Sequence, residues 1–197
     1  MPSARKTVTG LRERAGGRVE VELDGWPWRT VPANAVVRAG LAVGGTLDRE
    51  TARALGRELR RERALGLAVR ALRHRDLSRR RLEERLAARG ANAAARAEAL
   101  GTLERAGLVD DARLAAARVE ALAGRGYGDA AIRAALERDG VEEELVAEAL
   151  EGLEPEALRA RGLLEQEGAG PRTLRRLAGR GFDASVLEEL SGFADGA

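Results

Sequence analysis

The sequence predicts a mainly α-helical protein: tandem three-helix repeats forming an elongated, curved body, preceded by a small N-terminal β-hairpin or β-rich extension. Three observations predict it. Aromatic residues make up only 3% of the 197 residues while 44% are hydrophobic. The core must therefore be built from Leu, Val and Ala, which suits many small helices better than a large β-sandwich. A leucine stands four residues before a glycine at Leu86 and Gly90, Leu136 and Gly140, and Leu177 and Gly181. Residues 1–47 depart from this pattern, with the alternation Val19, Val21, Leu23 that a half-buried strand requires.

In the extension, "RVEVELDGWPWRTV" breaks at Asp24-Gly25 and resumes with Trp26, Trp28 and Thr30, the pattern of a two-residue hairpin. That turn sets Val21 opposite Trp28, Val19 opposite Thr30, and Pro27 opposite Glu22, where its missing N–H faces an edge. Both tryptophans are then packing residues; the alternative is that the indoles stack on bases, as in single-strand-binding proteins. "TVTGL" at residues 7–11 is expected to add a third strand, and "AVVRAGLAVGGTL" is a short connector ending at Asp48, a good helix N-cap.

From Asp48 onward the chain reads as helix after helix. Leu65, Val69 and Leu72 fall at i, i+4 and i+7. In "LSRRRLEERLAARG" (77–90) Ser78 caps the helix, Leu77 and Leu82 form a hydrophobic staple, and Gly90 is the left-handed stop. Leu82 and Leu86 point inward, so the arginines at 79, 80, 81, 85 and 89 lie mostly outward. "YGDAAIRAALERDG" (127–140) repeats the grammar with Gly128 as cap, Tyr127 and Ile132 as staple, Leu136 inward and Gly140 as stop. "AGPRTLRRLAGRG" (169–181) repeats it again, with Gly170 as cap, Pro171 at the first helical position, Leu174 and Leu177 inward, and Gly181 as stop.

A helix is expected before each of these caps, carrying Val69 and Leu72, Val119 and Leu122, or Leu158 and Leu163. Another follows each stop, carrying Leu100 and Leu103, Leu145 and Leu150, or Leu187 and Leu190. The stops are 50 and 41 residues apart. The expected organisation is a β-rich extension at 1–47, a connecting helix at 48–63, and three-helix repeats at 64–114, 115–153 and 154–197. Each stop glycine is expected to take a positive φ.

Net charge is only +2, but Arg53 to Arg89 holds 13 Arg against five acids, a balance of +8, and Gly90 to Leu153 holds seven Arg against 13 acids, a balance of −6. A two-signed surface suits a macromolecular partner, with salt-bridged helix faces as the alternative. The chain has no cysteine and one histidine, His74, between Arg73 and Arg75, too little for a metal site or a nucleophile-histidine pair. The glycine pairs lack the Lys-Ser/Thr ending of a P-loop, and Asp110 and Asp111 read as a cap and first-turn charge. No enzyme activity, cofactor or metal is expected. The first residues, "MPSARKTVTG", lack an apolar signal core, no apolar run approaches ~20 residues, and a cytoplasmic location is expected.

"ALRHRDLSRRRLEERLAARG", "LERAGLVDDARLA", "GRGYGDAAIRAALERDGV" and "RTLRRLAGRGF" resemble, in order, the successive signatures of the RecX family, bacterial regulators of the RecA recombinase. The front, from "VTGLRERAGGRVEV" to "GGTLD", is similar to the β-rich extension of longer members. Leu114 departs from the aromatic usual after the "DD" motif, Arg81 from a common acid, and Asp129-Ala130-Ala131 from an often basic stretch. The last points away from partner contact by the middle repeat's second helix.

The resemblance implies a non-enzymatic regulator that binds RecA, free or in its filament on single-stranded DNA, and inhibits filament growth, ATPase and strand exchange. A monomer is expected. The implied partner- or DNA-binding residues are Arg73, Arg75, Arg79, Arg80, Arg81, Arg85, Arg89, Arg172, Arg175 and Arg176. A helix-turn-helix DNA-binding regulator is the alternative, marked by strong preference for one duplex sequence.

Overall fold

The structure, a computed structural model, describes residues 5–194. The extension folds as an antiparallel sheet of β1 (Lys6–Arg14), β2 (Arg18–Leu23), β3 (Trp26–Pro32) and the short β4 (Thr46–Leu47), in the order β3-β2-β1-β4. Asp24 and Gly25 both have positive φ, 53° and 85°, the twist that a two-residue hairpin turn needs. Val8, Val19, Val21, Leu23 and Val31 turn to one side. There they form a core with Ala35 and Val36 of α1 (Ala33–Arg38), with Leu41, and with Leu55 of α2 (Arg49–Leu72).

The β2–β3 register differs from the expected one. Glu22 does face Pro27, but a bulge follows, so Val21 pairs with Arg29 and Val19 with Val31. The physical reason is the period of two. One extra residue at Trp28 brings Val31 to the inner face in place of Thr30, and Val31 is 1% exposed. The tryptophans are therefore not packing residues: Trp26 is 77% exposed and Trp28 41%.

Nine helices follow α1 among the described residues: α2, α3 (Arg79–Ala88) and α4 (Ala93–Arg105); α5 (Asp111–Ala123), α6 (Asp129–Asp139) and α7 (Glu143–Glu151); α8 (Glu156–Glu167), α9 (Pro171–Gly179) and α10 (Ala184–Ala194). The chain divides into two compact units. The first runs to His74 and includes Glu83–Ala106; the second comprises Arg75–Leu82 and the chain from Gly107 onward. No described helix is long and apolar enough to cross a membrane.

α2 is unbroken across residues 63 and 64, so the connecting helix and the first helix of repeat one are a single element. The division expected after Leu114 likewise falls inside α5, a helix whose core is shared with α6 and α7. Asp48 caps α2, accepting from the Thr51 N–H at 2.8 Å, and that bond holds its carboxyl below the usual range. Gly90, Gly140 and Gly181 have φ of 77°, 76° and 80°, as expected of helix stops. Leu82, Leu86, Leu136 and Leu177 are buried.

The first helix of the second repeat buries Val119 with Leu122 packed against its core, as expected, but those of the first and third repeats bury a different stripe. Val69 and Leu158 are exposed, at 36% and 46%. The buried pairs are Ala64 and Ala68, Ala115 and Val119, and Ala160 and Leu164, each at i and i+4. Reading large apolar residues alone turned α2 by one residue, about 100°. In the first unit Ala64 packs with Ala95 and Ala99 of α4.

Within the second unit, α6 and the α9–α10 turn meet backbone to backbone. Gly128 donates to the Arg180 carbonyl at 3.0 Å, and Ala130 to the Gly181 carbonyl at 3.2 Å. A Cβ on Gly128 would lie 2.3 Å from the Gly181 oxygen and the Phe182 nitrogen. Glu156 of α8 accepts from the Asp129 N–H at 2.6 Å with one oxygen and from the Asp183 N–H at 3.2 Å with the other. Arg159 donates to the carbonyls of Glu154 and Tyr127 at 3.0 and 3.1 Å, pairs with Asp129, and lies over the Phe182 ring. Asp129, part of the stretch that departs from the often basic family pattern, is thus spent on internal structure.

Candidate partner-binding surface

The start of α3 is held at three points within the second unit. Ser78, 1% exposed, accepts from the Arg81 N–H at 3.1 Å as the cap and donates its hydroxyl to the Asp139 carbonyl. Asp111 accepts from the Arg79 N–H at 2.8 Å. Leu77 and Leu82 are buried, as a staple requires. Asp110 caps α5 through the Arg113 N–H at 2.9 Å, as expected, but its neighbour Asp111 serves α3 rather than only its own helix.

The first turn of α3 holds no acidic residue. It carries Arg79, Arg80 and Arg81 instead, all exposed. Cations at the positive end of a helix dipole oppose helix formation, and Asp111 supplies the carboxylate that the turn lacks. Three exposed guanidiniums thus stand together at the helix terminus, beside the Asp111 carboxylate. Arg80 departs from a purely outward reading, because its aliphatic stem covers Gly140: a Cβ there would meet Arg80 Cδ at 3.0 Å. Arg85 and Arg89, exposed, continue from Arg81 at i+4 and i+8. Arg73 is the C-cap of α2, and Arg73, His74 and Arg75 are all exposed.

The second basic group is on α9. Pro171 occupies the first position, and Thr173 and Leu177 are buried with Leu174 packed against that core. Arg172, Arg175 and Arg176 lie at i, i+3 and i+4 on the exposed face. Arg175 donates to the Pro171 carbonyl at 3.2 Å and Arg176 pairs with Glu167 of α8, so Arg176 is partly neutralised. α7, by contrast, begins with exposed Glu142, Glu143 and Glu144 and carries exposed Glu148 and Glu151.

The cleft beside Asp76, Asp110 and Arg113 measures about 140 Å³. That is below the roughly 300 Å³ at which small-molecule pockets begin. Sequence reasoning found the arginines and the caps, but missed Asp111, Glu156 and Arg159. Their partners lie 27 to 32 residues away, and no local pattern announces them.

The family model described as "RecX, second three-helix domain" matches residues 110–150. The chain is 36% identical over 140 residues to the regulatory protein RecX of Stenotrophomonas maltophilia, covering 66% of this chain and 83% of that one. It is 42% identical over 127 residues to the regulatory protein RecX of Thermus thermophilus, covering 64% and 88%. A crystal structure of regulatory protein RecX superposes with a TM-score of 0.79 over 95% of this chain and 99% of that one at 21% identity, a likeness of fold. With more than four fifths of those two relatives' length aligned and the three-helix repeats in place, the chain belongs to the RecX family of regulatory proteins.

Proposed function

We propose that this protein is a non-enzymatic regulator that binds the RecA recombinase, free or as its filament on single-stranded DNA, and limits filament growth, ATPase and strand exchange. Kinship with regulatory proteins named RecX over most of their length carries the reading. The start of α3 supports it: Arg79, Arg80 and Arg81 lie exposed together in its first turn, which holds no acidic residue. Positive charge there suits an acidic protein surface or phosphates. Arg73, Arg75, Arg85, Arg89, Arg172 and Arg175 extend the set, and Arg176 contributes less because of Glu167. The protein acts as a monomer in the cytoplasm, where its partner works.

The deciding experiment is DNA-dependent ATP hydrolysis by the cognate RecA, titrated with this protein. ATPase and strand exchange are expected to fall with no ATP hydrolysis by the regulator alone. Unchanged RecA activities at saturation overturn the reading.

A further inference from the structure

Trp26 and Trp28 are the only tryptophans in the chain, and both stand out from the sheet, 77% and 41% exposed. Indole is the largest apolar side chain, and a soluble protein gains nothing by leaving two of them in water. β3 is an edge strand, and the bulge at Trp28 gives the arrangement its geometry. Successive strand residues ordinarily point to opposite faces. At the bulge they do not: the Arg29 guanidinium lies over the Trp28 ring, 5.4 Å from its centroid. The Trp28 ring thus carries a cation on one face while 41% of the residue stays open to solvent.

The surroundings select the occupant. Asp24, Gly25, Pro27, Arg29 and Thr30, around and between the indoles, are all exposed and mostly polar, so no continuous apolar patch of the kind that docks a protein surrounds them. Residues 5–47 hold seven Lys or Arg against four Asp or Glu, a balance of +3. The carboxylates of Glu20 and Glu22 are paired with Arg14 and Arg12, and Asp24 accepts from the Thr7 N–H at 2.9 Å. Stacking rings beside a guanidinium, in a field of net positive sign, are what unpaired bases on a phosphate backbone require.

We propose that the Trp26–Pro27–Trp28–Arg29 segment is a stacking site for single-stranded nucleic acid, with bases on the indoles and Arg29 beside the adjoining phosphate. The site is separate from the arginines of α3 and α9, and its deciding titration uses the oligonucleotide without recombinase, so failure to bind the oligonucleotide leaves the regulatory reading untouched.

Because both tryptophans lie in this segment, the intrinsic fluorescence of the full-length protein reports on it alone. Titration with oligothymidylate is expected to quench that emission saturably. In fluorescence anisotropy with a labelled oligothymidylate, Trp26→Ala with Trp28→Ala is expected to weaken binding by roughly 30-fold or more. Trp26→Phe with Trp28→Phe, which keeps the ring faces, should stay within a few-fold of wild type, and circular dichroism should be the same for all three. Absence of binding, binding without change in tryptophan emission, or equal affinity of the alanine variant overturns the proposal. Quenching by RecA protein but not by the oligonucleotide also overturns it, and makes the segment a protein-docking element.

Discussion

Gly128→Ala isolates the close approach between α6 and the α9–α10 turn. The backbone at Gly128, φ −82° and ψ 167°, suits alanine, so the substitution adds no conformational strain. Its Cβ, however, would sit 2.3 Å from the Gly181 oxygen and the Phe182 nitrogen and 2.4 Å from the Gly181 carbonyl carbon. All three are backbone atoms that cannot rotate away, so the two segments must separate by roughly 1 Å to restore van der Waals distance. Overpacking of this kind costs about 1–3 kcal/mol. Separation also weakens the bonds from Gly128 to Arg180 and from Ala130 to Gly181, each worth about 0.5–1.5 kcal/mol. The expected loss is about 2–5 kcal/mol.

Gly170→Ala is the matched control. Gly170 is also a helix N-cap, with φ −87° and ψ 165°, and a Cβ there meets nothing within 4 Å. It loses only the cap preference, about 1 kcal/mol or less. Urea unfolding followed by far-UV circular dichroism measures both. If the two variants differ by less than about 0.5 kcal/mol, the close approach is not a constraint and the reasoning fails.

Two further outcomes are expected. Arg79→Glu with Arg81→Glu, leaving Arg80 to cover Gly140, should weaken binding to RecA filaments and flatten its salt dependence, by about 0.7 for each single-strand phosphate that is no longer neutralised. The fold should survive, as read by circular dichroism, since both side chains are exposed; unchanged affinity and salt slope would assign both side chains to solvated surface. At the start of α10, the Ser185 hydroxyl and N–H hold the Asp183 carboxyl below its ordinary 3.8. Because the folded value is the lower one, the ionised cap stabilises above about pH 4, and that contribution is lost as pH falls through the folded value. The stability advantage of wild type over Asp183→Asn should therefore shrink below about pH 4 in acid titrations; an advantage constant from neutral to low pH would refute the assignment.

The helix ends were legible because their chemistry is local. Ser78, Gly128 and Gly170 start helices, and Gly90, Gly140 and Gly181 stop them, through conformations that their own side chains, or lack of them, dictate. The arginines of α3 were legible as outward once Leu82 and Leu86 were placed inward. The inner stripe of α2 was not, because Ala64 and Ala68 carry it, and alanine signals a helix anywhere on its surface without marking a face. The Trp28 bulge was hidden for a related reason. Alternation continues past it, and only the burial of Val31 shows which phase of the alternation won. Asp111 looked like an ordinary first-turn acid because the N–H it serves, that of Arg79, is 32 residues away.

Glu156 links the opening turns of two helices through one carboxylate, binding the Asp129 N–H that begins α6 and the Asp183 N–H that precedes α10. In a linear repeat array, each unit opens on its own free energy plus a neighbour term. Here the neighbour term reaches into the first turn of the preceding repeat, so amide protons at the start of α6 can exchange with solvent through fraying of the third repeat as well as of the second. The second and third repeats are accordingly expected to open as one foldon, with protection factors at the start of α6 that track those of α8 and α10 in amide hydrogen exchange.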